Sequence, residues 1–418
     1  MKQATQTEAT ERAVPPRLAE EAPLLMIPGP VTISPGVAAA AAGPPPAHTS
    51  ASLVAAFGAA LDLTREVWTA APGSQPFVLA GAGTLAMEMA ATNLIEPGDR
   101  VLTLDTGFFA ARMGIILRRL GAEVVELKAA VGDAPTLEQA REAIEGGSAA
   151  GQSTPPFKAL FAAHVDTSTG VRLDPEPLAR LGREHGLLTV FDGVCAAGGE
   201  RFAMAEWDVD VYFSASQKAL GLPPGLALMV ASERALAARA ARRAPLPTLY
   251  LDWESWRPIM RAYEERKSSY FSTPATSLVR ALEVGLREIL AGGLAHRFAL
   301  HGRAGRALRA AWGALGLAPV AARAELAADT VSTLYFPRGV DNSLIARIQA
   351  HGVTVASGRH PAIMGTYFRI GHMGWVVTQP ELLRRTAAAV AAGLADCGHT
   401  ASVPAALAAA DAVLAEPP

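Results

Sequence analysis

Lys218 closes an alternating apolar run, Val209, Val211 and Phe213, after the small polar residues Ser214, Ser216 and Gln217. The alternation predicts a buried strand, and the Leu222-Pro223-Pro224-Gly225 turn that follows limits how far the lysine reaches into water. Partial desolvation lowers a lysine's pKa and makes its amine a nucleophile toward a carbonyl carbon. The plainer alternative is a lysine that snorkels to the surface at a strand end. Asp192 favours the first reading. It ends a second apolar run, Leu187 to Phe191, and leads into Gly193 and Val194. Parallel strands deliver such residues to the carboxyl edge of a sheet, where open α/β folds bind ligands. A lysine and a carboxylate meeting there are what pyridoxal phosphate chemistry requires: the amine forms a Schiff base with the cofactor, and the carboxylate keeps the pyridine nitrogen protonated so that the ring accepts electrons.

Two further stretches suit anions. Phe77 to Ala80 reads as a strand, and Gly81-Ala82-Gly83-Thr84-Leu85-Ala86 as a glycine turn opening a helix. Helix N-termini carry unpaired N–H groups and the positive end of the dipole, so the turn can cradle a phosphate. The same six residues fit the dinucleotide fingerprint G-x-G-x-x-A, and the strand Val101 to Leu104 ends in Asp105 at about the expected distance. An NAD(P)-dependent oxidoreductase is therefore the rival on this segment, although it leaves Asp192 and Lys218 without a role. The second stretch is Tyr367 to Gly374, where Arg369 sits between Phe368 and Ile370. Burying a guanidinium is costly unless it meets an anion, either a protein carboxylate or that of a substrate, which its fork fits bidentately.

Asp192-Gly193-Val194, Ser216-Gln217-Lys218-Ala219 and Pro223-Pro224-Gly225 together resemble the signature of the class V aminotransferases, in the alanine-glyoxylate and serine-glyoxylate branch, over about residues 24 to 390. The resemblance implies a fold-type I pyridoxal phosphate transferase: a large domain with a mostly parallel sheet and helices on both faces, and a smaller C-terminal α/β domain. It puts Gly83 and Thr84 on the cofactor phosphate and Phe109 on the ring face, where the family commonly has tryptophan. Thr167 falls on the ring-hydroxyl side, in a His164-Val165-Asp166-Thr167-Ser168-Thr169-Gly170 run that has Asp166 where the family has glutamate. Val194 and Gln217 join the cofactor contacts, Gly29 of Pro28-Gly29-Pro30 lies at the substrate entrance, and Arg369 takes the substrate carboxylate. Tyr270 and Thr273 are expected to reach the neighbouring active site of a homodimer. The implied reaction moves an amino group from a small amino acid, alanine first, to glyoxylate, giving pyruvate and glycine. Serine as donor, or an aminophosphonate with pyruvate as acceptor, stays open. A cysteine desulfurase needs a reactive cysteine on a mobile loop, whereas Cys195, three residues past Asp192, reads as buried.

The elements around these residues make a strand-helix alternation. Helices are predicted at Ala51 to Trp68, Pro175 to His185, Ser277 to Leu290 and His296 to Trp312, with strands at Leu160 to His164, Thr330 to Phe336 and Val353 to Ala356. The 418 residues, 50% hydrophobic and 18% charged, allow a large core, and we expect a flexible tail over residues 1–22, a large domain over 23–290 with an arm at 23–45, and a small domain over 291–418. A net charge of −2 offers no footprint for nucleic acid. No apolar stretch is long enough for a bilayer, the first twenty residues lack a signal core, and two distant cysteines fit a reducing compartment, so a cytoplasmic location is expected.

Overall fold

The computed structural model describes residues 23–149 and 155–418, so the expected tail at 1–22 lies outside the described residues. In chain order, β1 (Leu24–Leu25), α1 (Pro35–Ala42) and α2 (Ala51–Val67) precede β2 (Gln75–Ala80) and α3 (Gly83–Leu94). Next come β3 (Arg100–Asp105), α4 (Phe108–Arg119), β4 (Glu123–Lys128), α5 (Leu137–Ala149), β5 (Ala159–Ala163), and the small hairpin β6 (Val165–Asp166) and β7 (Val171–Arg172). The sheet is completed by α6 (Pro175–Glu184), β8 (Leu188–Asp192), β9 (Val211–Ala215) and β10 (Leu226–Ala231).

These strands form a seven-stranded sheet of order β2-β10-β9-β8-β5-β3-β4. All neighbours pair in parallel except β10, which runs against both β9 and β2. The interior strands read Ala-Leu-Phe-Ala-Ala, Leu-Thr-Val-Phe-Asp and Val-Tyr-Phe-Ser-Ala and are buried throughout. Such near-continuous apolar runs are what a strand covered on both faces needs. At one edge, β4 is half exposed and carries Glu123, Glu126 and Lys128, charges that discourage pairing with another chain. At the other edge, β2 contains Pro76, which has no N–H to offer a ladder, and α2 and α8 (Trp253–Glu264) cover it.

Because β2, β3, β5, β8 and β9 all run the same way, their carboxyl ends open on one edge. Asp192 is the last residue of β8, Lys218 follows β9 by three residues, and α3 and α4 begin just past β2 and β3. The sheet order also corrects the dinucleotide reading of Gly81 to Ala86. That fingerprint needs its two strands side by side, yet β10, β9, β8 and β5 separate β2 from β3. Asp105 instead accepts a hydrogen bond from the Gly107 amide at 3.1 Å.

The large core extends from Val37 to Ile289. After α9 (Thr276–Leu290) and α10 (Leu294–Ala314), a second core gathers β11 (Val331–Tyr335), α11 (Ser343–Ala350), β12 (Val353–Thr354), β13 (Ala356–Ser357), β14 (Tyr367–Gly371), α12 (Pro380–Asp396) and α13 (Val403–Leu414). Here β14 lies antiparallel between β11 and β13, with Arg369 opposite Thr333 and Ala356. Leu24 and Met26 also belong to this second core. The segment β1 pairs in parallel with β12, the Met26 amide donates to Thr354 O, and the Gly371 amide donates to Met26 O. Chain from the start of the described residues is thus tied to the far end, and this tie sets the path of residues 27 to 30. Among the described residues, no helix is long and apolar enough to cross a membrane.

Candidate active site

At the carboxyl edge of the sheet a cavity of about 370 Å³ opens between the two cores. Ten of the residues singled out in the sequence line it: Gly29, Gly83, Thr84, Phe109, Thr167, Asp192, Val194, Gln217, Lys218 and Arg369. Residues separated by as many as 340 positions meet there because five strand ends and one strand of the second core converge on the same edge. Tyr270 and Thr273 do not line it. They share an exposed turn, with Tyr270 62% exposed, its hydroxyl 3.4 Å from Thr273 Oγ1 and its ring 5.3 Å from that of His48.

The loop that carries Lys218 is pinned by Ser216, whose hydroxyl donates to Pro223 O at 2.6 Å and accepts from the Leu226 amide at 3.1 Å. Two consecutive prolines lack donors of their own, so this side chain closes the turn in their place. Lys218 is 8% exposed and its Nζ donates to Pro28 O. Burial pushes its pKa down, and the nearby Arg369 charge acts in the same direction. Gly29, at φ +93°, passes directly over it: a Cβ there would lie 2.7 Å from Lys218 Cδ and 2.8 Å from Gln217 O. The Pro-Gly-Pro turn is therefore a cover on the lysine, and only glycine fits under both the steric and the backbone constraint.

Asp192 Oδ1 accepts from the Val194 amide at 2.8 Å, but burial outweighs that bond and pushes the carboxyl up to about 7. A carboxylate held in this way gains from a cation placed beside it. Below the turn, Tyr212 packs against Gly193 and hydrogen-bonds His164 Nδ1 at 3.0 Å. Burial holds His164 neutral, with its pKa down to about 3. Cys195 is fully buried, 3.8 Å from the Thr330 hydroxyl, and burial pushes its thiol up, which removes it as the mobile nucleophile of a desulfurase.

Three features point to a phosphate-bearing ring as the occupant. Helix α3 begins without a side-chain cap, and the amides of Gly83 and Thr84 find no backbone partner among the described residues. A Cβ on Gly83 would come within 2.9 Å of Val194 Cγ2, so glycine keeps that approach open. The Gln217 side-chain oxygen is buried with no partner among the described residues.

Of the eight other lining residues, three bear on the chemistry. Arg112 stands one helical turn past Phe109, donates to Thr84 Oγ1 at 3.0 Å and stacks over Phe108 and Phe109 at 4.9 and 5.1 Å. Its spacing of three from Phe109 was the available signal. Pro28 acts through its carbonyl, and Arg359 lies on a loop with no periodicity to flag it. Asp166, outside the cavity, caps α4: its carboxylate accepts from the Phe109 and Ala110 amides at 2.9 and 3.0 Å and from the Ser168 amide and hydroxyl at 2.9 and 2.6 Å. The helix that presents Phe109 and Arg112 is thereby fixed to the His164-to-Gly170 loop.

Residues 47–376 match the family described as aminotransferase class-V. The chain is 36% identical over 362 residues to alanine–glyoxylate aminotransferase 1 of Saccharomyces cerevisiae, covering 84% of this chain and 91% of the relative. It is 31% identical over 354 residues to L-aspartate–glyoxylate aminotransferase of Paracoccus denitrificans, covering 84% and 86%. The crystal structure of ureidoglycine-glyoxylate aminotransferase from Bacillus subtilis superposes with a TM-score of 0.86 at 26% identity, over 96% of this chain and 100% of that one. The chain belongs to the class V aminotransferases and is a pyridoxal-phosphate-dependent transaminase of fold type I.

Proposed function

We propose that this enzyme transfers the amino group of alanine to glyoxylate, giving pyruvate and glycine. The observation that carries the reading is the meeting of a desolvated lysine, Lys218, with a buried carboxylate, Asp192, and a guanidinium, Arg369, in one cavity. The yeast relative bears the name of this donor and acceptor, and glyoxylate recurs in the names of the others.

The donor set fits pyridoxal phosphate. The free amides of Gly83 and Thr84 would supply hydrogen bonds to a phosphate at a helix N-terminus, and the unpartnered Gln217 side-chain oxygen would accept from a donor on the occupant. Asp192 would supply the anion for a protonated ring nitrogen, Phe109 and Val194 would supply apolar surface, and Thr167 would offer its hydroxyl to the ring, all from the lining of the one cavity. When bound, the cofactor supplies a carbonyl that condenses with amines and a conjugated ring that takes up the electron pair left by a departing α-proton.

The protein's own part is binding and proton movement. Arg369 is oriented by Ser357 O, 2.9 Å from its Nε, and by Thr167 O, 3.3 Å from Nη1, leaving the rest of its fork for the α-carboxylate of the amino acid. Lys218 Nζ, whose pKa burial lowers, accepts the α-proton of the bound amino acid and delivers it to the far side of the transferring nitrogen. Pro28 and Gly29 cover the lysine on one side. With pyruvate released, glyoxylate enters the same carboxylate site and the proton path runs backward.

We further propose a cytoplasmic homodimer in which Tyr270 and Thr273 complete the partner's phosphate site. Their exposure supports a contact surface there. Residues 23–290 and 291–418 would form its large and small domains, and the free state of Cys195 and Cys397 supports a reducing compartment. The experiment is an absorbance spectrum of the cofactor-loaded protein. Alanine should bleach the visible band of the lysine-bound cofactor and glyoxylate should restore it. A band that alanine leaves untouched overturns the donor, and absence of any band after cofactor is added overturns the role of Lys218.

A further inference from the structure

Beyond the groups that would face the cofactor, the cavity lining holds one guanidinium more than a monocarboxylate substrate uses. The lining includes Lys218, Arg112, Arg369 and Arg359, against a single carboxylate, Asp192. Lys218 is committed to the cofactor in the reading above. Arg112 is engaged on the cofactor side, bonded to Thr84 and lying over the Phe108 and Phe109 rings. Arg369 takes an α-carboxylate. That leaves Arg359.

Arg359 is fixed at its base and free at its tip. Its amide and that of His360 both donate to the Tyr367 hydroxyl at 2.8 Å, and that hydroxyl in turn donates to Ser168 O at 2.7 Å. The loop is thus nailed to β14 two residues before Arg369 and to the loop that carries Thr167. The guanidinium itself is exposed, and among the described residues it makes no hydrogen bond and has no carboxylate within 4.0 Å. Burial pushes the Arg369 pKa down and the charge of Arg359 adds to that push, so the two guanidiniums feel each other across the cavity mouth. Two like charges with no carboxylate in ion-pair contact among the described residues are relieved by a ligand that brings two anionic groups.

We propose that Arg359 is a specificity-determining residue that binds a second carboxylate, so that the site also takes amino acids with a short acidic side chain and the matching 2-oxo diacids. Arg369 holds the α-carboxylate and Arg359 the side-chain carboxylate, while a neutral amino acid such as alanine uses Arg369 alone. The inference rests on the transaminase geometry of the preceding section.

The test uses the cofactor-loaded enzyme and two unreactive probes, maleate and propionate, titrated against the absorbance of the bound cofactor. The wild-type protein should bind maleate at least about tenfold more tightly than propionate, the worth of one charge-assisted pair at a partly wetted site. Arg359→Gln should reduce that preference by about tenfold, and Arg359→Lys should keep part of it. The side chain is exposed and unpaired, so both variants keep the fold, and the cofactor band reports this directly. A wild-type preference near one, or a preference that Arg359→Gln leaves intact, overturns the proposal. The alanine and glyoxylate cycle run on the same samples separates the two readings. If the cycle works and the maleate preference is missing, only the role of Arg359 falls. If the preference depends on Arg359 and no amino donor changes the spectrum, the anion site stands and the transaminase reading falls.

Discussion

Replacing Asp192 by asparagine should make the cofactor-free protein more stable at neutral pH while disabling the loaded enzyme. Burial moves the carboxyl from its ordinary 3.8 to about 7, and each tenfold change in proton affinity is worth about 1.4 kcal/mol. Ionising the folded protein at this position therefore costs roughly 4 kcal/mol relative to the unfolded chain, where the group titrates normally. The sign follows from the proton count. Between pH 4 and pH 7 the folded state holds a proton that the unfolded state has lost, so the Asp192 contribution falls as pH rises through that window and is constant above it. Asparagine keeps an oxygen for the Val194 amide and does not ionise. His164 and His372, pushed down to about 3 and about 4 by burial, give the opposite slope near pH 6, so the readout is the difference between the two proteins. Urea unfolding of both in the cofactor-free form, from pH 4 to pH 8.5, should show the asparagine variant gaining up to roughly 4 kcal/mol across the window. With pyridoxal phosphate bound the advantage should shrink or reverse, because only the carboxylate can pair with a protonated ring nitrogen, and turnover should fall by roughly two orders of magnitude. A flat difference curve, or a variant less stable than wild type at pH 8 without cofactor, refutes the reasoning.

Two other substitutions probe the supports of the site. Gly29→Ala puts a Cβ 2.7 Å from Lys218 Cδ in a left-handed backbone and should weaken cofactor binding by about tenfold or more, at a cost of roughly 1–3 kcal/mol in stability; equilibrium titration of the visible band checks the first and thermal unfolding the second. Asp166→Asn turns an amide toward donors at the start of α4 and should cost roughly 2–3 kcal/mol, with the absorbance and fluorescence of the bound cofactor shifted as Phe109 loosens, whereas Asp133→Asn, an exposed carboxylate paired with Arg323, should leave both unchanged. Turnover should decline as pH falls through the lowered Lys218 pKa, because protonation removes the base, and a kcat profile that rises toward acid would contradict that role.

Much of the site was legible in sequence because each reacting side chain ends a strand whose apolar pattern is strong. Asp192 and Lys218 follow runs that cannot be solvated, and a sheet with parallel strands must bring their ends to one edge. Three things were not legible. The strand β4, Glu-Val-Val-Glu-Leu-Lys, sits at an edge and trades apolar residues for charge, so its period is blurred. The reversal of β10 depends on the Ser216 clamp rather than on any composition signal, and without the sheet order Gly81 to Ala86 fits two cofactors equally well. Arg359 and Asp166 act through loop geometry, where what matters is which hydroxyl or amide lies opposite, and linear spacing carries no trace of that.

The pairing of β1 with β12 also fixes an order of events during synthesis. Pro28 and Gly29 lie over Lys218 only when Leu24 to Met26 are laid beside Val353 and Thr354, more than 320 residues later in the chain. While the ribosome is still making the second core, the sheet and Lys218 are already present but the roof above them is missing. A chain truncated before residue 353 would therefore be expected to leave Lys218 on an uncovered sheet edge.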